Sequence, residues 1–109
     1  MILIKNANIY NVKNNNFENG MILVDHGKII AIGNDVNPPR NAEIIDAKGN
    51  FVMPRMMEDE ISIEGAGIDG KDYSLEIGKD ADIVIYSGHP FNLRSKVEFI
   101  MVNGKISKK

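Results

Sequence analysis

Glu76-Ile77-Gly78-Lys79-Asp80-Ala81-Asp82-Ile83-Val84-Ile85-Tyr86-Ser87-Gly88-His89-Pro90-Phe91 is the stretch on which the fold of this chain turns. Ala81 to Tyr86 is a short apolar, β-branched run bounded by Gly78 on one side and by Gly88 and Pro90 on the other. That is the pattern of a buried strand between turns. Downstream, Val97 to Val102 reads as a further strand. It leads to Asn103-Gly104, a two-residue hairpin signal, with Lys105-Ile106-Ser107 as the return arm. Lys108-Lys109 discourages further pairing at that edge.

Upstream the same grammar repeats. Ile2 to Tyr10 reads as an opening strand, and the asparagine-rich stretch Asn11 to Gly20 as a turn-forming loop. Met21 to Val24 and Lys28 to Ile32 flank Asp25-His26-Gly27, a tight hairpin that Gly33 stops. Pro38-Pro39 removes two backbone donors and makes Asn34 to Asn41 a surface crossing. Glu43 to Ala47 and Phe51 to Met53 follow, separated by Lys48-Gly49-Asn50 and ended by Pro54. Many short strands at regular spacing, with turn signals between them, predict an all-β fold, a small β-sandwich, in a single domain spanning 1–109. The predicted core is Ile22, Val24, Ile30, Ile32, Ile83, Ile85, Phe99 and Met101.

Composition narrows the function classes. The 109 residues include no cysteine, which excludes disulfides, thiolate metal sites and cysteine nucleophiles. A formal charge of -2 with 6% aromatic residues and no tryptophan gives neither a phosphate-gathering field nor a stacking platform, so nucleic acid is not the expected partner. The start lacks a basic leader and no apolar run reaches membrane-spanning length, so the expectation is a cytoplasmic protein without a membrane partner.

Taken together, the Gly78-Lys79-Asp80-Ala81-Asp82 turn feeding an apolar strand and the Ser87-Gly88-His89-Pro90-Phe91 exit resemble the C-terminal end of amidohydrolase-superfamily enzymes, in particular the imidazolonepropionase-like amidohydrolases. The first half resembles their N-terminal segment: an opening strand, a hairpin carrying Gly27-Lys28-Ile29, the Ile32-Gly33 stop, and the Asp46-Ala47-Lys48-Gly49-Asn50 turn leading to Val52-Met53-Pro54. The resemblance covers roughly 2–54 and 67–105. It implies a composite β-sandwich made from the two ends of the chain, packed in the family beside a metal-dependent (β/α)8 barrel that hydrolyses carbon-nitrogen bonds in cyclic amides and related small molecules. After Pro54 the family pattern continues with glycine, a strand and a His-x-His metal pair. Here the chain reads Arg55-Met56-Met57-Glu58-Asp59-Glu60-Ile61 without a histidine. The resemblance therefore implies an N-terminal segment over residues 1–54, a bridge over 55–66 in place of a barrel of about 250 residues, and a C-terminal segment over 67–109. Ser74-Leu75-Glu76-Ile77-Gly78 keeps the family's Ser, Glu and Gly but has Ile77 for proline, and Tyr73 stands where glycine is usual.

The candidate chemistry is thin, and the expectation is that no residue of this chain is catalytic, cofactor-binding or a metal ligand. The parent family's zinc or other divalent ion would be held by the missing barrel. His26 sits in a hairpin turn that suits a polar residue with unusual backbone angles. His89 matches a loop position of the family's exit motif, where a structural hydrogen bond outweighs a ligand role. Glu58-Asp59-Glu60 lacks the alternating ligands of a calcium loop and reads as a solvated run. Asp80 and Asp82 could share a face and draw a cation, but they fit better as acceptors for backbone donors at the turn. Ser74, Ser87, Ser95 and Ser107 have no nucleophile-elbow setting. Gly65-Ala66-Gly67-Ile68-Asp69-Gly70 has dinucleotide spacing without the strand and helix that would confirm it.

The leading expectation is a non-catalytic domain of an amidohydrolase-like protein. Two others differ in class. One is a hydrolase with an improvised or intermolecular metal site at His26, His89 or the Glu58 cluster. The other is a small binding or association module. A carrier role would need a Met-Lys-Met hairpin tip, which neither Asp25-His26-Gly27-Lys28 nor Val102-Asn103-Gly104-Lys105 provides. The surface freed by the barrel, expected at Met53, Met56, Met57 and Ile61, predicts a homodimer, because a patch can bury against its own copy.

Overall fold

The computed structural model describes residues 1–11, 16–55, 75–90, 92 and 94–108. Among these residues there are eight strands and no helix: β1 (Ile2–Asn11), β2 (Asn16–Asp25), β3 (Lys28–Gly33), β4 (Glu43–Asp46), β5 (Phe51–Pro54), β6 (Ile83–Tyr86), β7 (Val97–Val102) and β8 (Lys105–Lys108). They form one mixed sheet in the order β3-β2-β1-β5-β6-β7-β8, with β4 also beside β1. The expected all-β class is the observed one.

β1 is the hinge of this sheet because it changes partner half-way. Ile2 to Lys5 pair parallel with Glu43 to Asp46, whereas Asn8 and Ile9 pair with Phe51 and Val52. The change coincides with a slip in the β1–β2 register between Ile4 and Ala7, an extra residue that turns a strand and increases its twist. Asn6 takes the left-handed conformation there, at φ 55°, which asparagine tolerates better than most side chains. Its amide donates to Asp46 Oδ1 at 3.0 Å, and its carbonyl accepts from the Gly49 N–H at 2.7 Å. The Lys48 N–H also donates to Asp46 Oδ1, at 2.8 Å. The turn between β4 and β5 thus follows the corner in β1.

The Asn6 amide, then the Lys48 N–H, hold the Asp46 carboxyl below its ordinary value. A carboxylate depressed in the folded state contributes stability above its unfolded pKa, and that contribution is lost as pH falls through the folded value. On melting curves across the acid range, Asp46→Asn is expected to lose less stability between neutral pH and the acid limb than the parent chain. Parallel profiles would show that the Asp46 contacts do not hold the corner.

The two halves of the chain share the sheet directly. β5 pairs antiparallel with β6 from Phe51↔Tyr86 to Pro54↔Ile83, and β6 pairs in turn with β7. The sheet folds over itself so that one core takes Ile4, Ile22, Ile29 and Val52 from the first half and Ile83, Ile85, Phe99 and Met101 from the second. A second set of contacts draws the free edge of β3 toward the segment before β6. The Ile29 N–H donates to the Lys79 carbonyl at 2.9 Å and the Gly78 N–H to the Ile29 carbonyl at 2.7 Å. Ala81 N–H reaches Gly27 O at 2.8 Å, and Gly104 N–H reaches Ala81 O at 3.0 Å. The β2–β3 and β7–β8 turns therefore meet, and both use left-handed pairs: His26-Gly27 at φ 51° and 77°, Asn103-Gly104 at φ 51° and 79°. This is the I′ geometry that matches strand twist.

Of the predicted core, Ile22, Val24, Ile83, Ile85, Phe99 and Met101 are buried and Ile32 packs partly buried against them. Ile30 is a correction: it is 41% exposed, and Ile29 is buried in its place. Val24 pairs with Ile29 but Leu23 pairs with Ala31, so Ile30 is the extra residue of a bulge and simple alternation fails there. Ile29→Ala is expected to cost about 2–5 kcal/mol and Ile30→Ser about 0.5 kcal/mol or less in urea unfolding. The reverse ranking would show that the bulge is misplaced.

The loop expected over Asn11 to Gly20 is a second correction, since β2 already begins at Asn16 and pairs Phe17 with Tyr10. Cross-strand aromatic contact overrides the turn preference of the asparagines there. The ring centroids of Tyr10 and Phe17 are 5.4 Å apart, and Phe17 meets Phe51 edge-on at 4.9 Å.

The Pro38-Pro39 stretch lies between strands, as expected of a crossing. It joins the end of β3 to the start of β4, two strands across the sheet. Leu3 and Leu23 are buried although they stand outside the core cluster, whereas Ile44, paired with Leu3, is 47% exposed, so the outer face of the sheet is covered only in part.

Candidate functional site

The candidates that lie among the described residues can be followed to their places. His26 occupies the β2–β3 turn with its side chain 91% exposed, its Nδ1 3.1 Å from Asp25 Oδ2. His89 packs its ring against Phe17 and Phe51, at centroid distances of 5.3 and 5.4 Å. Its carbonyl accepts from the Asn92 N–H at 2.9 Å and from the Ser95 hydroxyl at 2.6 Å. Ser87 closes the same loop by accepting from the Lys96 N–H at 2.9 Å. The Ser-Gly-His-Pro exit motif is thus a self-bonded loop, and a Cβ added at Gly88 would stand 2.9 Å from Ser95 Oγ and displace the hydroxyl that bonds the His89 carbonyl.

Asp80 and Asp82 do not converge on a common point. Asp80 pairs with Lys28, and Asp82 accepts the Asn103 N–H at 2.8 Å, the backbone-bonding role expected for the turn. Glu58, Asp59, Glu60, the glycine run Gly65 to Gly70 and Ser74 lie outside the described residues, as do Met56, Met57 and Ile61. Met53 is half-buried on β5.

What the sequence did not indicate is a cavity of about 520 Å³ where the end of β1, the start of β2, the end of β3 and Leu75-Glu76 come together. Ile9, Ile32 and Leu75 form its apolar part. Tyr10, Asn11, Glu18, Asn19, Asn34 and Glu76 supply its polar groups. Asn11 Nδ2 donates to Glu18 Oε1 at 2.9 Å, and Lys79 Nζ stands 3.8 Å from Glu76 Oε1. Burial lowers the pKa of Lys79 from its ordinary value. Space is tight at Gly20 beside the cavity: a Cβ there would stand 3.2 Å from both the Gly33 carbonyl oxygen and Ile9 Cδ1. No local motif announces these residues, which come from four separate stretches of the chain.

No family model matches the sequence. Individual relatives do. The adenine deaminase of Clostridium perfringens is 28% identical over 111 residues, 96% of this chain and 20% of its own length. The dihydroorotase of Caldicellulosiruptor saccharolyticus is 38% identical over 73 residues, 66% of this chain and 17% of its own. The chain belongs to the amidohydrolase superfamily. It spans about a fifth or less of the curated relatives it matches. A crystal structure of D-hydantoinase superposes on 49% of this chain and 11% of its own, with a TM-score of 0.42 at 36% identity.

An amidohydrolase metal centre can be tested against the side chains of this domain. A catalytic ion needs about three protein ligands and an open position for water. Among the described residues no group of three or more histidines and acids could hold an ion, and the Asp80 and Asp82 carboxylates are directed to Lys28 and to a backbone N–H. Among the described residues the donor set does not fit the group. Arg55, where the resemblance implies glycine, donates its N–H to the Asp82 carbonyl at 2.8 Å and so extends the contact between the halves. Among the described residues no helix is long and apolar enough to cross a membrane.

Proposed function

We propose that this chain is a non-catalytic β domain of an amidohydrolase-like protein, in which the N- and C-terminal segments close directly on each other where the enzymes carry a barrel. The observation that supports this reading is the β5–β6 pairing. Pro54 stands opposite Ile83, and Arg55 continues the contact to Asp82. Only residues 56–74 intervene before the described chain resumes at Leu75, whereas a (β/α)8 barrel takes about 250 residues. The absence of cysteine fits a cytoplasmic setting.

The test is an assay of the purified chain on hydantoins, dihydropyrimidines, imidazolone-type substrates and N-acyl amino acids, with and without added zinc. No turnover above buffer is expected. Zinc-dependent turnover that disappears in His89→Ala would overturn the reading and favour an improvised metal site.

The same reading includes self-association as a homodimer. It is supported by the exposure of Ile30 and of Ile77, at 64% the most exposed large apolar side chain among the described residues. Both lie beside Ile29, where the edge of β3 meets 78–79. Sedimentation equilibrium at micromolar concentration is expected to show a dimer that weakens when Ile30 and Ile77 are replaced by serine, and weakening on replacement of Met56 and Met57 instead would place the contact at the bridge. A monomer throughout sinks the association.

A further inference from the structure

We propose that Asn103-Gly104 is a modification site, at which spontaneous deamidation replaces the asparagine amide by a carboxylate and unlatches the turns that join the two halves of the chain. This goes beyond the reading above and does not depend on it, because it rests on the β7–β8 turn and its contacts alone.

The chemistry is that of an asparagine followed by glycine. The Gly104 backbone nitrogen, losing its proton, bonds to the Asn103 side-chain carbonyl carbon, and the side-chain nitrogen leaves as ammonia. Water then opens the resulting succinimide ring. Attack at the side-chain carbonyl leaves aspartate. Attack at the main-chain carbonyl leaves isoaspartate, in which the backbone runs through the former side chain and gains a methylene. Glycine favours ring closure because it carries no side chain to obstruct the approach and its backbone turns freely.

The sequence holds two such pairs, Asn19-Gly20 and Asn103-Gly104, and the fold treats them differently. Gly20 is buried in β2 opposite Ala7, within a β1–β2 ladder that runs from Asn11↔Asn16 to Ile2↔Val24. Phe17 fastens that end of the ladder through its contacts with Tyr10 and Phe51. Freeing the Gly20 nitrogen therefore requires the sheet to come apart. Asn103 is exposed at a hairpin tip. The tip is held by the Gly104 N–H donating to Ala81 O at 3.0 Å and the Asn103 N–H donating to Asp82 Oδ1 at 2.8 Å. Separating the turns frees the Gly104 nitrogen while β7 and β8 stay paired, and a local opening of this kind costs less than global unfolding.

The product cannot regain the same fit. A Cβ added at Gly27 would stand 2.9 Å from the Asn103 carbonyl oxygen, and one added at Gly104 would stand 2.6 Å from Gly27 Cα. Isoaspartate puts an extra methylene into a loop between Val102 and Lys105 that is already pressed against the facing backbone. Either product also sets a new carboxylate near Asp82, whose Oδ1 accepts the Asn103 N–H, and like charges so placed repel.

The experiment ages the full chain at neutral pH, in buffer and in urea above the unfolding midpoint. Both sites are followed by mass spectrometry of proteolytic peptides and by isoaspartate-specific methylation. In buffer Asn103 is expected to convert at least about tenfold faster than Asn19, because the local opening is more populated than the unfolded chain. In urea the two rates are expected to be similar. Asp82→Ala, which removes the acceptor of the Asn103 N–H, is expected to quicken conversion at 103 about tenfold, the usual order for a hydrogen bond to a charged group. If that variant fails to fold, the two rates in the parent chain still decide. The converted chain is expected to unfold at lower urea concentration than the fresh one. Asn103→Gly, which accepts positive φ without the reactive amide, is expected to hold its midpoint throughout. Equal rates at the two sites in buffer, no conversion at 103 while the unfolded chain converts, an unchanged rate in folded Asp82→Ala, or an unchanged midpoint after conversion would each overturn the proposal.

Discussion

Gly104→Ala is expected to destabilise this domain by about 2–6 kcal/mol, a large fraction of the roughly 5–15 kcal/mol that holds a domain of this kind together. Two separate costs add. Gly104 sits at φ 79°, a conformation that side chains other than glycine adopt only with strain. A Cβ there would also stand 2.6 Å from Gly27 Cα and 3.1 Å from the Gly27 nitrogen. These are backbone atoms of the facing turn, so no rotamer change can relieve the clash. Separating the turns would stretch the Gly104 N–H to Ala81 O and Ala81 N–H to Gly27 O bonds, which join the β2–β3 turn to the second half of the chain. Gly49→Ala is the control, because Gly49 has a similar φ of 80° and no atom within 4 Å of an added Cβ. Its loss should reflect backbone strain alone. Urea unfolding of the two variants checks this: equal losses would mean that the contact between the turns contributes nothing.

The second large effect is expected at Ile83. It is fully buried, lies opposite Pro54 on one side and Met101 on the other, and belongs to the strand that joins the halves. Ile83→Ala is expected to cost about 2–5 kcal/mol through lost transfer energy and the cavity left behind, and Ile83→Val about 0.5–1.5 kcal/mol. Neighbouring Val84 faces away from the core cluster and retains 8% exposure. Its replacement by alanine should therefore cost less than that of Ile83. Denaturant midpoints with an unchanged slope would attribute the differences to stability rather than to a looser native state. A loss at Ile83 no greater than that at Val84 would mean that the two halves do not share one core.

The sequence legibly encoded elements whose causes are local. Asn103-Gly104 and His26-Gly27 turn where they were expected because a two-residue loop between twisted strands requires positive φ, which these residues accept. Val97 to Val102 and the apolar centre of β6 were legible from β-branched runs between breakers. Even the exit loop 87–96 was readable in outline, since serine, glycine and proline at close spacing define a turn whose hydrogen bonds run within the loop.

What the tertiary structure decided depends on residues distant in the chain. Ile29 rather than Ile30 enters the core because β3 carries an extra residue opposite β2, and a bulge leaves no mark on the alternation of its own strand. Asn16 and Phe17 join a strand because Phe17 finds Tyr10, Phe51 and His89, partners that no window around the asparagines contains. The cavity is the extreme case: Ile9, Glu18, Ile32 and Leu75 carry no common motif, and only the folding of the sheet over itself brings them together. The sequence by itself determined the strands, their turns and the relation to the amidohydrolases, because those follow from local sterics and short motifs. Register, facing and the lining of the cavity were decided by the tertiary structure, because each is set by which distant surface a strand meets.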